Sequence, residues 1–259
     1  MKRYLKVLFL QARATFLSTL EYRVSYFFRV FRIMLSIGLI FLTLEILFLK
    51  TKTLGIWNKS EVFLIFGVYQ FVSSFVDFFC GDSLSEIPSL VRQGDLDIIL
   101  LKPLDSQFLI SFRETHPGNL YRIFASFVVF SYAASSLSEA IPLGRFLLGA
   151  LFVGAAILIF YSLLLLIASA SFFVLEESLS ELFENFLSVS KYPTDIFPRG
   201  LRILLTVIPI VFLVTIPSSV ILGKFLPVYL LGFPVAGCLF YFSRRCFLNA
   251  LKNYTSAGG

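Results

Sequence analysis

Long apolar runs at 31–49 (FRIMLSIGLIFLTLEILFL), 62–80 (VFLIFGVYQFVSSFVDFFC), 119–137, 146–173, 203–222 and 225–243 alternate with shorter polar stretches. About 20 helical residues cross a hydrocarbon layer of roughly 30 Å. Hydropathy therefore predicts six transmembrane helices. The runs lack the strict polar/apolar alternation of membrane-spanning strands, so helices and not a barrel must satisfy the backbone. KTKTLGIWNKSE joins the first two runs into a hairpin, with Trp57 placed as an interfacial anchor. SLSEAIPLGR, punctuated by Pro142 and Gly144, joins the next two. The expected fold is a single all-α polytopic membrane domain over 1–259.

Three polar or amphipathic stretches interrupt this pattern. Residues 1–29 carry Lys2, Arg3, Lys6, Arg13, Arg23 and Arg29 among Leu and Phe, which predicts a basic amphipathic helix lying in the membrane interface. A plain cytosolic leader is the alternative. Residues 81–117 hold GDSLSEIPSLVRQGDLDIILLKPLDSQF and the one histidine, and are too charged to span. Within them, between Gly81 and Leu104 with a break at Gly94, a short helix would press on a soluble partner, with Arg92, Asp95, Asp97 and Lys102 as the exposed contacts. Ile98, Ile99, Leu100 and Leu101 would hold it against the membrane domain. The stretch 176–202 is mixed in character.

Composition excludes a soluble protein: 58% of the 259 residues are hydrophobic and 15% charged, whereas soluble domains run near one quarter charged. Mean hydropathy is +0.87. The formal charge of +6 comes from basic residues clustered beside the apolar runs, which suits an anionic lipid surface and not nucleic acid. Seven Lys or Arg precede or begin the first run, and Arg244, Arg245 and Lys252 follow the last. Both termini, and with them 81–117, are therefore expected on the cytoplasmic side. Lys50, Lys52 and Lys59 then fall outside, against the rule. No small-residue cleavage site follows the first run, so the spans themselves are expected to direct insertion. Cys80, Cys238 and Cys246 are odd in number, lack metal spacing and lie in or beside apolar runs, which predicts buried, inert thiols.

The chemistry is sparse. No G-x-x-x-x-G-K-[ST] loop is present, so any ATP, with its magnesium, is expected in a partner. His116, beside Pro117, has no second histidine to share a metal or build a catalytic triad. Acidic residues in or at the edge of apolar runs are costly and therefore candidates for function: Glu45, Asp77 and Glu184. Glu177, Glu181 and Glu184 fall on one helical face. That face would line a polar cavity for a cationic or amphiphilic substrate, or else meet water or a partner. Tyr69, Phe75 and Glu184 are the candidate substrate-pathway residues.

Three stretches, GDLDIILLKPLDSQF, KYPTDIFPRGLRILLTVIPIVFLVTIPSSVILG and the closing LKNYTSAGG, resemble the permeases of the ABC-2 type, in particular the bacterial subgroup with paired permeases and a separate ATPase. The resemblance covers essentially the full length. It implies a six-span half-transporter in the bacterial cytoplasmic membrane that pairs with an identical or related permease and rests on two ATPase subunits. It also implies that a coupling helix lies in the loop between spans two and three. That helix maps onto Arg92 to Pro103, with Arg92, Asp95, Asp97, Leu100, Leu101, Lys102 and Pro103 as its coupling residues. It implies, further, short re-entrant helices on the outer face over 194–222, which would make 176–193 the fifth span; hydropathy alone assigns that place to 203–222. A membrane enzyme acting on a lipid carrier, and an ATP-independent channel or scaffold, are the competing readings. The first would need a phosphate- or metal-holding cluster, and the second a repeated polar stripe.

Overall fold

The computed structural model describes residues 10, 23–113, 120–137, 140–173, 182–183 and 185–254. Helix α1, Arg23–Lys50, leads through a small hairpin of β1 (Thr53–Leu54) and β2 (Trp57–Asn58) into α2, Lys59–Val76. Thr53 lies opposite Asn58, and Gly55 makes the turn at φ +64°. Glu61 starts α2 by accepting from the Asn58 N–H at 2.9 Å, half of a capping box. The helix does not stop where the apolar run does. A π-helical turn, Asp77–Gly81, carries it into α3 (Asp82–Ser85) and α4 (Ile87–Gln93). The whole run, Lys59–Gln93, is 35 residues long. Gly94, at φ +77°, ends it with a left-handed cap.

Two short helices, α5 (Leu96–Leu100) and α6 (Ser106–Ser111), then fold back toward the bundle. They are followed by α7 (Leu120–Ser135) and α8 (Leu143–Ala170). Single 3-10 turns at Ser188–Lys191 and Thr194–Ile196 precede α9 (Arg199–Val207), a further turn at Ile210–Phe212, and α10 (Thr215–Ile221). A last turn, Pro227–Leu231, opens α11, Gly232–Lys252.

The core is built around α2, whose residues Val62 to Val68 are buried on every side between α7 and α8. Gly67 makes this possible, since a Cβ there would sit 3.1 Å from the backbone of Phe130 on α7. Ser60 Oγ also donates to the Ser136 carbonyl at the end of α7, at 2.8 Å. On α8, Gly149 admits Ile221 of α10, which an added Cβ would overlap. The rest of α8 packs along α11. By contrast α1 touches the bundle along one stripe only. Leu44 is buried, Phe41 meets Phe63 and Tyr132, and Glu45 pairs with Lys59 at 2.6 Å. Its exposed Phe31, Leu35, Leu39, Leu42 and Ile46 form a hydrocarbon-facing surface, for which lipid tails are as good a neighbour as protein.

Among the described residues, three helices are long and apolar enough to span: Val30–Lys50, Lys59–Gln93 and Leu143–Ala170. A fourth is counted if α9 and the 210–221 segment, bent by 78°, form one unit. The even set of six runs is thus not reproduced as six equal helices. The described part of α7 is 16 residues, and α11 holds Arg244 and Arg245 in its interior, so its apolar stretch is short. The interfacial helix expected over 1–29 falls mainly outside the described residues, and its last residues, 23–29, continue α1. The alternative fifth span, 176–193, is described at 182–183 and 185–193, where helical pieces at 182–183 and 185–187 run into the 3-10 turn Ser188–Lys191.

The bend at Ile208–Pro209 has a covalent cause, because proline offers no N–H to continue the helix. Both flanks of the bent pair return to the Trp57 end of the molecule. Ile196 lies against Gly55, and Lys224 pairs with Glu61 at 2.7 Å with its ammonium 4.4 Å over the Trp57 ring. Between them the Thr194 hydroxyl meets that of Thr215 at 3.3 Å. Geometrically this is a broken span or a re-entrant loop. Among the cysteines, Cys80 is buried as expected, but Cys238 is exposed on the apolar surface of α11 and Cys246 is half-buried.

The close approach at Gly149 predicts that Gly149→Val destabilises the purified chain by roughly 1–3 kcal/mol through overpacking against Ile221. Gly144→Val, where nothing lies within 4 Å of a new Cβ, is expected to stay within about 0.5 kcal/mol. Thermal unfolding in detergent separates the two, and equal melting temperatures would remove Gly149 as a packing constraint.

Candidate functional site

The candidate functional features gather at the end of the bundle opposite Trp57, where α2 leaves the core. Beyond the π turn the chain forms a compact amphipathic shelf. Ile87, Leu90, Val91, Leu96, Ile99, Leu109 and Ile110 are buried beneath it. Arg92, Asp95 and Lys102 are exposed, as the sequence pattern suggests, and Pro103 is exposed beside them. The apolar residues of α5 divide differently from expectation. Leu96 and Ile99 hold the helix down, while Ile98 and Leu101 point outward, 63% and 84% exposed, and Leu100 sits at the margin. Five helical residues can bury only one face, and a spacing of three selects 96 and 99 for it. Asp97 is half-buried beside the C-terminal end of α11. Burial, and then the Asp97 carboxylate, push the Tyr254 phenol above its ordinary range.

Helix α6 is tied to the bundle by a polar cluster. Asp105 caps it, accepting from the Phe108 N–H at 3.0 Å, and also takes a charge-assisted bond from Arg244 of α11 at 2.7 Å. Arg244 donates in addition to Gln107 Oε1 at 2.7 Å, Gln107 Nε2 donates to the Tyr161 hydroxyl at 2.9 Å, and Tyr161 meets Ser111 at 2.8 Å. Three elements, α6, α8 and α11, are thereby joined. The Arg244 hydrogen bond holds the Asp105 carboxyl below the usual carboxylate range, with help from the Phe108 and Gln107 N–H groups.

This cluster edges an open cavity of about 700 Å³, walled by Phe75, Phe79, Phe108, Phe112 and Phe240. A second, apolar cavity of about 360 Å³ shares Phe75, Gly154 and Ile157 with it and continues along α8 to Phe146.

A second ion pair sits at the π turn. Arg122, near the start of α7, reaches Asp77 at 2.6 Å, and both side chains are about one quarter exposed. The Arg122 Nε is buried with no partner. Gly81 closes the turn, and a Cβ there would be 2.7 Å from Asp77 Oδ1. A π-bulge at a charged, partly buried position is a recurrent mark of functional sites.

Of the residues singled out from sequence, Phe75 lines both cavities, whereas Tyr69 is partly buried against the core and outside their walls. Glu45 and Asp77 are each paired with a cation. Glu177, Glu181, Glu184 and His116 lie outside the described residues. Sequence reasoning missed Asp105, Gln107, Tyr161, Arg122 and Arg244. Arg122 and Arg244 were visible as charges in or beside apolar runs, but their partners are 45 and 139 residues away in the chain.

The family model described as ABC-2 family transporter protein matches residues 34–258. No curated protein and no solved structure matches the chain.

Two measurements address the charges. In a double-mutant cycle on Asp77→Ala and Arg122→Ala, read by unfolding in detergent, the coupling is expected at roughly 1–3 kcal/mol; additive losses would mean that the pair does not hold the π turn. Asp105→Asn keeps the cap but loses the charge. Because the folded Asp105 pKa is depressed, its stabilising contribution is present above the unfolded value of about 4 and lost as pH falls through the folded value. The stability gap between wild type and Asp105→Asn should therefore close on acidification, and a gap that widens would contradict the pairing.

Proposed function

Since the chain belongs to the ABC-2 family of transporter proteins, we propose that it is the membrane-spanning permease subunit of an ATP-driven exporter. It would form its pathway with a second identical or related permease. ATP and magnesium would be handled by ATPase subunits on separate polypeptides, which fits the lack of a phosphate loop in this chain. The chain is a membrane component of a transporter and not itself an enzyme. Export, the cytoplasmic placement of both termini and a bacterial cytoplasmic membrane are parts of the proposal, supported by the excess of Lys and Arg around the first and last apolar runs.

The observation that carries the proposal is α5. Its outward Ile98 and Leu101, framed by Arg92, Asp95, Asp97, Lys102 and Pro103, form an apolar tip with a charged rim, the composition of a protein-docking surface. Leu100 lies at its edge. The tip is braced from beneath by Leu96 and Ile99 and stands at the end of the 35-residue run from Lys59 to Gln93. Force applied to α5 by a closing ATPase pair would pass along that run into the core of the bundle. The 81–117 region is on this reading the coupling segment, and 194–222 a re-entrant hairpin on the outer face. The proline break at 209 and the return of both flanks to the Trp57 end support the hairpin. Substrate passing between subunits would meet the aromatic surface that includes Phe75, with Tyr69 and Glu184 as further candidates.

The test is an Ile98→Asp, Leu101→Asp double variant co-expressed with the ATPase. It is expected to insert and fold as wild type while ATPase co-purification and transport fall by at least about tenfold. Leu96→Asp, which places a charge under the shelf, should instead destabilise the chain by several kcal/mol. Unchanged ATPase retention and transport in the double variant would place the coupling contact elsewhere.

A further inference from the structure

The two cavities beside α8 differ in character along their length. At the α6 end stand the Asp105–Arg244 pair, Gln107 and Tyr161; from Phe75 onward the walls are hydrocarbon and aromatic rings apart from Ser126, whose hydroxyl donates to the Ile123 carbonyl. Their volumes, about 700 Å³ and 360 Å³, are each of the size that holds a small ligand, roughly 300–1,000 Å³. They abut at Gly154, where nothing lies within 4 Å of an added Cβ. From Tyr161 to Phe146 the groove follows sixteen residues of α8, about 22 Å at the helical rise. That is more than half of the ~30 Å hydrocarbon layer and enough for the tail of one leaflet's lipid.

We propose that this groove binds one zwitterionic amphiphile of the phospholipid kind, its head on the Asp105–Arg244 pair and its tail lying past Gly154 into the second chamber. The choice of head follows from charge. Asp105 and Arg244 are 2.7 Å apart and each about one third exposed, so the rim offers both signs side by side. An anionic head is drawn by Arg244 and repelled by Asp105, and a cationic head meets the reverse. Only a head with both charges gains from both. Arg244 still has N–H groups beyond those given to Asp105 and Gln107, suited to a phosphate. Nearby charges do not upset this balance: Arg113 is paired with Glu86, Arg122 with Asp77, and Arg245 lies over the Tyr241 ring. The tail lies among Phe75, Ile157, Phe127 and Phe130, apolar throughout. The inference does not depend on ATP coupling and stands or falls separately from it.

The experiment uses the full chain in maltoside micelles, titrated with spin-labelled single-chain lipids of equal tail length. The three probes are lyso-phosphatidylcholine, lyso-phosphatidylglycerol and an alkyl trimethylammonium. Lyso-phosphatidylcholine is expected to bind once per chain and about tenfold more tightly than the other two. Gly154→Trp projects an indole into the groove from a position where an added Cβ meets nothing within 4 Å, so the folded protein should persist in detergent while binding weakens by about tenfold or more. Asp105→Asn should erase the preference for the zwitterionic over the anionic head by leaving Arg244 unopposed. Equal affinities for the three heads, or undiminished binding by Gly154→Trp, overturns the proposal.

Discussion

In hydrocarbon an unpaired charge has no water to fall back on, and its cost of several kcal/mol must be met within the protein. The described bundle is organised by that constraint. Asp77 is joined to Arg122, Asp105 to Arg244, and Glu61 to Lys224. Each pair joins segments distant in sequence: α2 to α7, the α6 cap to α11, and α2 to the loop after α10. The buried hydroxyls of Ser162, Ser169 and Ser219 follow the same logic locally, each donating to a carbonyl four residues earlier. Apolar packing supplies cohesion, but association of helices in lipid has little hydrophobic drive of its own. Close approaches at Gly67 and Gly149, with the ion pairs, therefore decide which helix lies beside which.

The pairs also divide the molecule into two ends with different mechanical character. At the Trp57 end, the hairpin, Lys224 and the Thr194–Thr215 contact hold the bent 194–222 segment against α2. At the other end α2 runs on past its apolar stretch, through the π turn and a further break at Glu86, to Gln93. A π-bulge adds one residue to a turn and so shifts the facing of everything beyond it. Here α2 is buried on all sides from Val62 to Val68 and has a partly exposed side from Tyr69 onward, and beyond the π turn the run keeps one buried side, which is what a shelf resting on the bundle requires. Asp77 sits on that irregularity, and Arg122 fixes it from α7.

Much of this was readable in the chain. Apolar length located α1, α2 and α8, and Pro142 with Gly144 located the turn before α8. Trp57 was read as an interfacial anchor from its place between two runs, whereas in the structure its ring is buried in the protein core with Lys224 over it. The continuation of α2 beyond residue 80 was not readable. Hydropathy ends a span where charge begins, although Ser, Glu and Gln extend a helix readily. The facing of Ile98, Ile99, Leu100 and Leu101 was misjudged because a four-residue apolar run has no visible period until Leu96 is included. The polar cluster was hidden for a different reason. Asp105, Gln107 and Ser111 lie in a segment that reads as loop, while Tyr161 sits deep in an apolar run and Arg244 beyond another, and nothing in the spacing links them.

The position of α6 connects the two ideas raised by this structure. Its neighbour α5 carries the exposed tip of Ile98 and Leu101, and its own cap, Asp105, forms the head-binding rim of the groove. Between Leu100 and Ser106 only five residues intervene, among them Pro103, and they leave little slack. Displacement of α5 by a docked partner would therefore pull on Asp105, and Arg244 would follow or release it. Release would leave an uncompensated guanidinium at the membrane boundary, which favours an anionic head in place of a zwitterionic one. On the two proposals, lipid occupancy and partner docking would act on the same short helix through the same carboxylate. By reciprocity, whichever head stabilises the closed ion pair must also weaken any docking that opens it.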